Sequence, residues 1–311
     1  MVLERYVGNP ILAPTRNAWE SAAVCNPAAV AHDGRVHIVY RAIDRKGVSR
    51  LGHAVSDDGF RVAHRAPVPL LSPLPDCFEE RVGVEDPRLT PLGGRHYITF
   101  TAASIYDDGR PPRPWDLGTP WRVRVALAVT DDFQRVERIG IVIPDRDSKN
   151  AVLFPEEIGG RFAMFHRPYP EIWIAWSDDL RRWHGHRRVM GPRAGSWDSD
   201  RIGAGAPPIR IPEGWLMIYH GTRVADGHRI YQLGVALFDA DDPSRVIARS
   251  PRPILEPEAD CERQGLVRNV VFACGLVERG DQYLVYYGGA DQVVCVATTT
   301  RARLLSSLEP V

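Results

Sequence analysis

The sequence repeats itself five times, and that internal periodicity constrains the fold more than any other feature. The segments "VHIVYRA", "HYITFTA", "RFAMFHRP", "GWLMIYHG" and "QYLVYYGG" set an aromatic residue at Tyr40, Phe100, Phe165, Tyr219 and Tyr286, at spacings of 60, 65, 54 and 67 residues. Before each comes a short apolar segment and a Gly or Asp turn ("PAAVAHDGR", "PRLTPLGGR", "AVLFPEEIGGR", "PPIRIPEGW", "GLVERGDQ"), which reads as strand, hairpin, strand. A third strand follows in "LGHAVSDDG", "VALAVTDDF", "IWIAWSDDL", "LGVALFDADDP" and "VCVATTT", where apolar residues alternate with small or polar ones. Three or four short strands, five times over, with few helical stretches, predict an all-β chain folded as a five-bladed β-propeller. A β-sandwich with irregular loops is the competing architecture. Length alone allows two ordinary domains; the repeat favours one propeller domain over residues 1–311.

The repeat also locates a site. In a hairpin, the start of the first strand and the end of the second lie at the same end of the sheet, so these points in all five blades gather on one face around the axis. First-strand starts carry Asn26, Asp86, Asn150, Gly205 and Asn269, and second-strand ends carry Arg41, Thr101, His166 with Arg167, His220 and Tyr287. The centres of the same strands are Val, Ile, Leu, Phe and Ala, so a ring of polar groups at the mouth marks a ligand site.

Composition narrows the partners. With 39 basic and 39 acidic residues there is no net field to draw nucleic acid or an anionic membrane. The start "MVLERYVGNPILAP" lacks the pattern of a signal peptide, and no window approaches the roughly 18 apolar residues of a membrane span, so a cytoplasmic location is expected. Cys25, Cys77, Cys261, Cys274 and Cys295 are scattered and never fall as CxxC, which favours free thiols over disulfides or zinc. The pairs Asp57–Asp58, Asp131–Asp132 and Asp178–Asp179 resemble a calcium cluster on paper, but one pair per blade reads as turn chemistry. No metal and no cofactor are expected.

Taken together, "GNPILAP", "CNPAAVAHDGRVHIVYRA", "GVEDPRL", "KNAVLFPEEIGGRFAMFHRP", "IWIAWSDDLRRW", "RIGAGAPPI", "DPSRVIARSPRPILEPE" and "NVVFACGLVERGDQYLVYYGGADQVVCVA" make the chain resemble the β-mannoside phosphorylases of glycoside hydrolase family 130 over nearly its whole length. The resemblance implies a five-bladed propeller, in agreement with the repeat count. It also implies inverting, reversible phosphorolysis of β-mannosides to α-mannose 1-phosphate, with inorganic phosphate as co-substrate and a proton relay through a hydroxyl of the mannosyl ring.

Glycosidic cleavage needs an acid for the leaving oxygen and a nucleophile or base on the other face. Asp86, at a strand start and matching the aspartate of the family's "EDPR" motif, is the candidate acid. Its neighbour Glu85 is expected to point to the opposite side of an extended chain and to orient substrate-binding groups. The other blades offer no carboxylate at the equivalent point. They offer Lys149, Asn150, Arg167, His220 and Arg41, groups suited to an oxyanion, so the missing partner is expected to be phosphate itself. Lys149 stands out because only it and Lys46 are lysines. Hydrolysis by water is the alternative reading.

Asn26, Arg41, His220 and Asp291 match family positions around the mannosyl ring and phosphate; a turn-stabilising role for Asp291 and structural ion pairing for Arg41 and His220 compete with this. Gly203 and Gly205 of "RIGAGAPP" lack the lysine of a phosphate loop and are expected to pack tightly near the axis or to let substrate approach. In the loop "SIYDDGRPPRPWDLGTPW", Tyr106, Trp115 and Trp121 are candidates for stacking on an acceptor sugar, against plain blade capping or a subunit contact. A sugar-binding propeller without catalysis, or an interaction scaffold, would need no acid opposite a basic pocket. Linkage, acceptor and any homo-oligomer stay open at this level.

Overall fold

The computed structural model describes residues 2–106, 109, 111–112 and 119–311. Hairpin chemistry builds its blades: Asp33–Gly34, Gly93–Gly94, Gly159–Gly160 and Asp226–Gly227 all take positive φ, the conformation that tight β-hairpins require. Blade 1 comprises Ala23–His32, Arg35–Ile43, Ser49–Ser56 and Val62–Arg65. Blade 2 comprises Gly83–Leu92, Arg95–Ile105, Trp121–Thr130 and Glu137–Ile143. Lys149–Leu153, Phe162–Arg167, Ile172–Ser177 and His184–Met190 form blade 3. In blade 4 the inner strand is split into Arg201–Ala204 and Ile209–Ile211, ahead of Gly214–Ala225, His228–Phe238 and Val246–Arg249. Blade 5 runs through Val271–Arg279, Gln282–Gly289 and Val293–Thr300. Its outermost strand comes from the other end of the chain: Glu4–Arg5 pairs antiparallel with Thr298 and Ala297.

The alternation read in the strands puts apolar side chains on both faces of each blade, and both faces are covered. Each pair of adjacent blades shares an apolar layer. Val39 and Leu51 meet Val84 and Ile98 between blades 1 and 2, Leu127 meets Leu153 and Met164 between 2 and 3, and Phe165 meets Met217 and Phe238 between 3 and 4. Leu216 and Val235 meet Val271 and Val285 between blades 4 and 5, and Val285's neighbours Leu284 and Tyr286 meet Val24 and Ile38 of blade 1. Five junctions with five layers close the ring into a five-bladed propeller.

The aromatic residue that made the repeat visible has a structural task. Tyr40 donates to Glu20, 2.8 Å away, and Arg65 from the outermost strand donates to the same carboxylate at 2.6 Å. Blade 4 repeats the arrangement with Tyr219, Asp198 and Arg249; in blade 5 the clamp is made by Tyr287, Glu262 and Arg5, while the repeat's own Tyr286 donates to the Gly59 carbonyl. Phe100 has no hydroxyl, so in blade 2 Arg138 lies over its ring and holds Glu80 at 2.6 Å. Glu20, Glu80, Asp198 and Glu262 are all buried, each clamping the approach to an inner strand onto the outermost strand of its blade. Gly52 faces Tyr40 across the strands, where a Cβ would overlap the phenol ring. In blade 3, a chain from Ser148 through His166 to His186 takes this place, with contacts of 2.8 and 3.0 Å.

Removing one partner of a buried, hydrogen-bonded ion pair strands the other's charge. Asp198 is fully buried and accepts from Arg193, Tyr219 and Arg249. Asp198→Ala is therefore expected to lower stability by about 3–5 kcal/mol. Urea titration of the two proteins measures it, and a loss below about 1 kcal/mol would mean that the clamp is merely decorative.

The paired aspartates behave as turn residues: Asp58 accepts from the Phe60 and Arg61 amides, Asp132 from those of Gln134 and Arg135, and Asp179 from those of Arg181 and Arg182. All five thiols are free; Cys25, Cys274 and Cys295 are buried, while Cys77 and Cys261 are half-buried.

Candidate active site

The inner strands reach the axial mouth through a bulge. In blades 1 to 3 regular pairing stops at Cys25↔Arg41, Glu85↔Thr101 and Lys149↔Arg167, and the next residue is Asn26, Asp86 or Asn150, with φ of 50°, 49° and 53°. Asn and Asp enter this left-handed region more readily than other side-chain-bearing residues, so the backbone selects the same residue types that furnish polar groups. Gly205 stands there in blade 4. In blade 5 the bulge falls at Cys274, between the pairs Ala273↔Tyr287 and Gly275↔Tyr286. Asn269, expected at this point, instead precedes the strand, and its carbonyl accepts from the Tyr231 amide. The count from the repeat missed a bulge that lies inside the strand.

The same bulge overturns the expectation that Glu85 points away from Asp86. Alternation fails where a left-handed residue is inserted, and both carboxylates reach one guanidinium: Arg41 donates to Glu85 at 2.6 Å and to Asp86 at 3.4 Å. Ser49 supports both Glu85 and Arg41.

Asp86 is buried and accepts from Asn26 at 2.8 Å. Burial alone would push its pKa up, but Arg41, Lys149, Arg88 and the Asn26 hydrogen bond outweigh that and hold it at about 2. Arg88, also buried, ties the bulges together. It donates to the Asp86 carbonyl at 2.7 Å, to the carbonyls of Ala204 and Gly205, and to Asn150 Oδ1 at 3.4 Å. That last bond orients the Asn150 amide so that its Nδ2 donates to His220 Nε2 at 3.3 Å. The proton of a neutral His220 then sits on Nδ1, a buried atom with no partner among the described residues. Burial first, and then Arg167, Arg88 and Lys149, hold this imidazole well below its ordinary pKa, hence uncharged. Gly203 packs tightly here, since a Cβ would lie 2.6 Å from both His220 and Asn150, and Gly205 packs against the Ile218 carbonyl.

Above these groups opens a cavity of about 560 Å³, whose wall includes Arg41, Glu85, Lys149, Arg167, Asp291 and Trp121. Asp86, Asn26, Asn150 and His220 are buried and do not form part of that wall; Asp86 connects to it through Arg41. Arg41 is committed to the two carboxylates, but neither Lys149 nor Arg167 has a carboxylate partner among the described residues. Burial, then Arg201, pushes Arg167 down to about 10, and its buried Nε has no acceptor among the described residues. Burial and Arg167 likewise lower Lys149. Desolvated cations without counter-ions are costly, so this end of the cavity is built for an anion.

Arg201, Arg229, Tyr231, Tyr169 and Asp147 also line the wall, and the repeat alone did not point to them. Arg201 opens the inner strand of blade 4, where the repeat singles out Gly205. Arg229 and Tyr231 belong to a hairpin of 12- and 11-residue strands, longer than its counterpart in blade 3; that extra length was the available signal. Arg201 and Arg229 share Asp200, at 3.0 and 2.9 Å, while a buried Arg201 terminal nitrogen has no acceptor. Of the three aromatics, Trp121 reaches the cavity. Tyr106 does not line it but donates to Asp147, which does, at 2.6 Å. Trp115 lies outside the described residues.

Asp291, half-buried at φ 51°, has its pKa raised to about 6, chiefly by burial and also by Asp86 and Glu85, against the pull of Arg41 and Lys149. A carboxylate whose folded pKa exceeds its unfolded value of about 3.8 subtracts stability as pH rises through that window. Asp291→Asn is therefore expected to stabilise the protein by about 1–3 kcal/mol at pH 7.5, where Asp291 is ionised, and by only about 0.5 kcal/mol at pH 4, close to the unfolded pKa. Melting curves at the two pH values test this; equal shifts would remove the assigned cause.

Fold and site together define a class: a propeller enzyme with the buried carboxylates Glu85 and Asp86 set against a cationic pocket. The profile of glycoside hydrolase family 130, described as beta-1,4-mannooligosaccharide phosphorylase, matches residues 4–309. A 1,2-beta-oligomannan phosphorylase of Thermoanaerobacter sp. (strain X514) is 42% identical, over 95% of this chain and 96% of that protein. A beta-1,2-mannobiose phosphorylase of the same organism is 40% identical, over 97% and 98%. Among solved structures, the beta-1,2-mannobiose phosphorylase from Listeria innocua, in complex with beta-1,2-mannobiose, superposes with a TM-score of 0.85 at 28% identity, covering 99% of both chains. The chain belongs to glycoside hydrolase family 130.

Proposed function

We propose that this protein cleaves β-mannosides by inverting, reversible phosphorolysis, with inorganic phosphate as co-substrate and α-mannose 1-phosphate as product. The observation that carries this reading is the cationic end of the cavity: Lys149 and Arg167 without carboxylate partners among the described residues, beside spare donors of Arg201 and His220. Phosphate held there attacks the anomeric carbon; the glycosidic carbon–oxygen bond breaks, and the departing oxygen takes a proton that originates on Asp86, directly or through a sugar hydroxyl. No second catalytic carboxylate is needed, because phosphate is the nucleophile. Bound phosphate also offsets the Lys149 charge that depresses Asp86, which raises the carboxyl's pKa towards that of a usable acid. Asn26, Glu85, Arg41 and Asp291 are assigned to the mannosyl unit, and Trp121 to the acceptor sugar.

Relatives named for β-1,2 linkages stand at 42% and 40% identity, against 30% for the Beta-1,4-mannooligosaccharide phosphorylase of Ruminococcus albus. We therefore favour β-1,2-linked substrates. Five free cysteines fit a reducing cytoplasm, and no helix among the described residues is long and apolar enough to cross a membrane. The test is mannose 1-phosphate release from β-1,2- and β-1,4-mannobiose, with and without phosphate. Release that requires phosphate and is faster on the β-1,2 disaccharide is the expected result. Free mannose formed equally well without phosphate would make water the nucleophile and end the proposal.

A further inference from the structure

Two cysteines outside the cavity wall are positioned to react with each other. Cys261 lies in the short helix Asp260–Arg263 and Cys295 in the third strand of blade 5. Their sulfurs are 4.0 Å apart although the residues are 34 apart in sequence. Cys261 is half-buried and meets solvent, whereas Cys295 is fully buried behind it. We propose that Cys261 and Cys295 form a reversible dithiol–disulfide pair that is oxidised by peroxides.

The division of labour follows from exposure and charge. The Cys295 thiol hydrogen-bonds Cys261 and so favours its thiolate, while that same bond and burial push Cys295 upward. The Cys261 thiolate attacks one oxygen of a hydroperoxide and breaks the O–O bond. Sulfenic acid forms on Cys261, and the other oxygen leaves as alcohol or water after taking a proton. Cys295 then attacks that sulfur, the S–S bond forms, and the hydroxyl departs as water with the Cys295 proton. Two thiols lose two electrons and the peroxide gains them.

Closing from 4.0 Å to a bonded separation of about 2.05 Å asks for movement in a four-residue helix rather than in the blade. That segment also bears on the active site. Val270 donates its amide to the Glu262 carbonyl and accepts from Ala290, the residue before Asp291. The disulfide would therefore brace the turn that carries Asp291.

Reduced, folded protein is treated with stoichiometric hydrogen peroxide, alkylated, and mapped by mass spectrometry without reductant. The expected product is one Cys261–Cys295 linked peptide pair, undone by dithiothreitol, with a melting temperature several degrees above that of the reduced form. Cys295→Ser should melt close to wild type when reduced, yet under the same peroxide carry sulfinic or sulfonic acid on Cys261, because the resolving thiol is gone. Should wild-type protein keep both thiols free, over-oxidise Cys261 while Cys295 stays reduced, or link a different pair, the proposal is overturned. This inference is independent of the reaction assigned to the cavity.

Discussion

Asp86→Asn is expected to lower kcat/KM for phosphorolysis by about 10³-fold, within the range of 10²–10⁴ found for removal of a general acid. Asparagine suits the site in every other respect. It tolerates the left-handed backbone, as Asn26 and Asn150 show at the equivalent points of blades 1 and 3, and it can still bond to Asn26. Arg41 keeps Glu85 as its counter-ion. The fold should survive with a modest cost: Asp86 has a folded pKa of about 2, so its charge adds stability above pH 3.8 that vanishes as pH falls through 2. Replacing it costs about 1–2 kcal/mol at neutral pH. Mannose 1-phosphate production by the variant, set beside its melting curve, decides the matter. Activity above about a tenth of wild type would mean that the proton comes from elsewhere.

Arg167→Met should have the second-largest effect, in the opposite direction for stability. Losing a desolvated charge partner costs about 2–5 kcal/mol of binding, so the KM for phosphate should rise about 10²-fold while the KM for the mannoside changes far less. The free protein should become more stable, because burial and Arg201 already push this guanidinium down to about 10; the cation disfavours the folded state whenever no anion is bound. Steady-state kinetics with each substrate varied in turn, together with thermal melts, reads both effects. An unchanged phosphate KM would detach Arg167 from the anion pocket, and a lower melting temperature would contradict its being uncompensated.

These two variants test residues found by counting along the repeat. His166, beside Arg167, is expected from the sequence to point into the blade rather than into the site, and it does: burial and His186 hold it at about 3 between Ser148 and His186. Glu85 shows the limit of the count, since alternation would face it away from Asp86 and one bulge returns it to Arg41. Arg88 was visible in "GVEDPRLT" but had no evident task, because its acceptors sit on three different blades.

What the sequence determined by itself was local and periodic: five strand–hairpin–strand units, the aspartate turns, and the mouth positions of Asp86, Arg41, Lys149, Asn150, Arg167 and His220. Hydrophobic alternation, turn residues and hairpin geometry act over a few residues, so they can be read without knowing what lies across the gap. Only the tertiary structure decided what depends on ring closure. Arg5 meets Glu262 across 257 residues, Arg229 and Tyr231 swing over the cavity on an extended hairpin, and Cys261 comes to rest against Cys295. The charges were decided there too. Desolvation and fields from neighbouring blades set Asp86 near 2 and Asp291 near 6, and neither exists until five blades have packed around one axis.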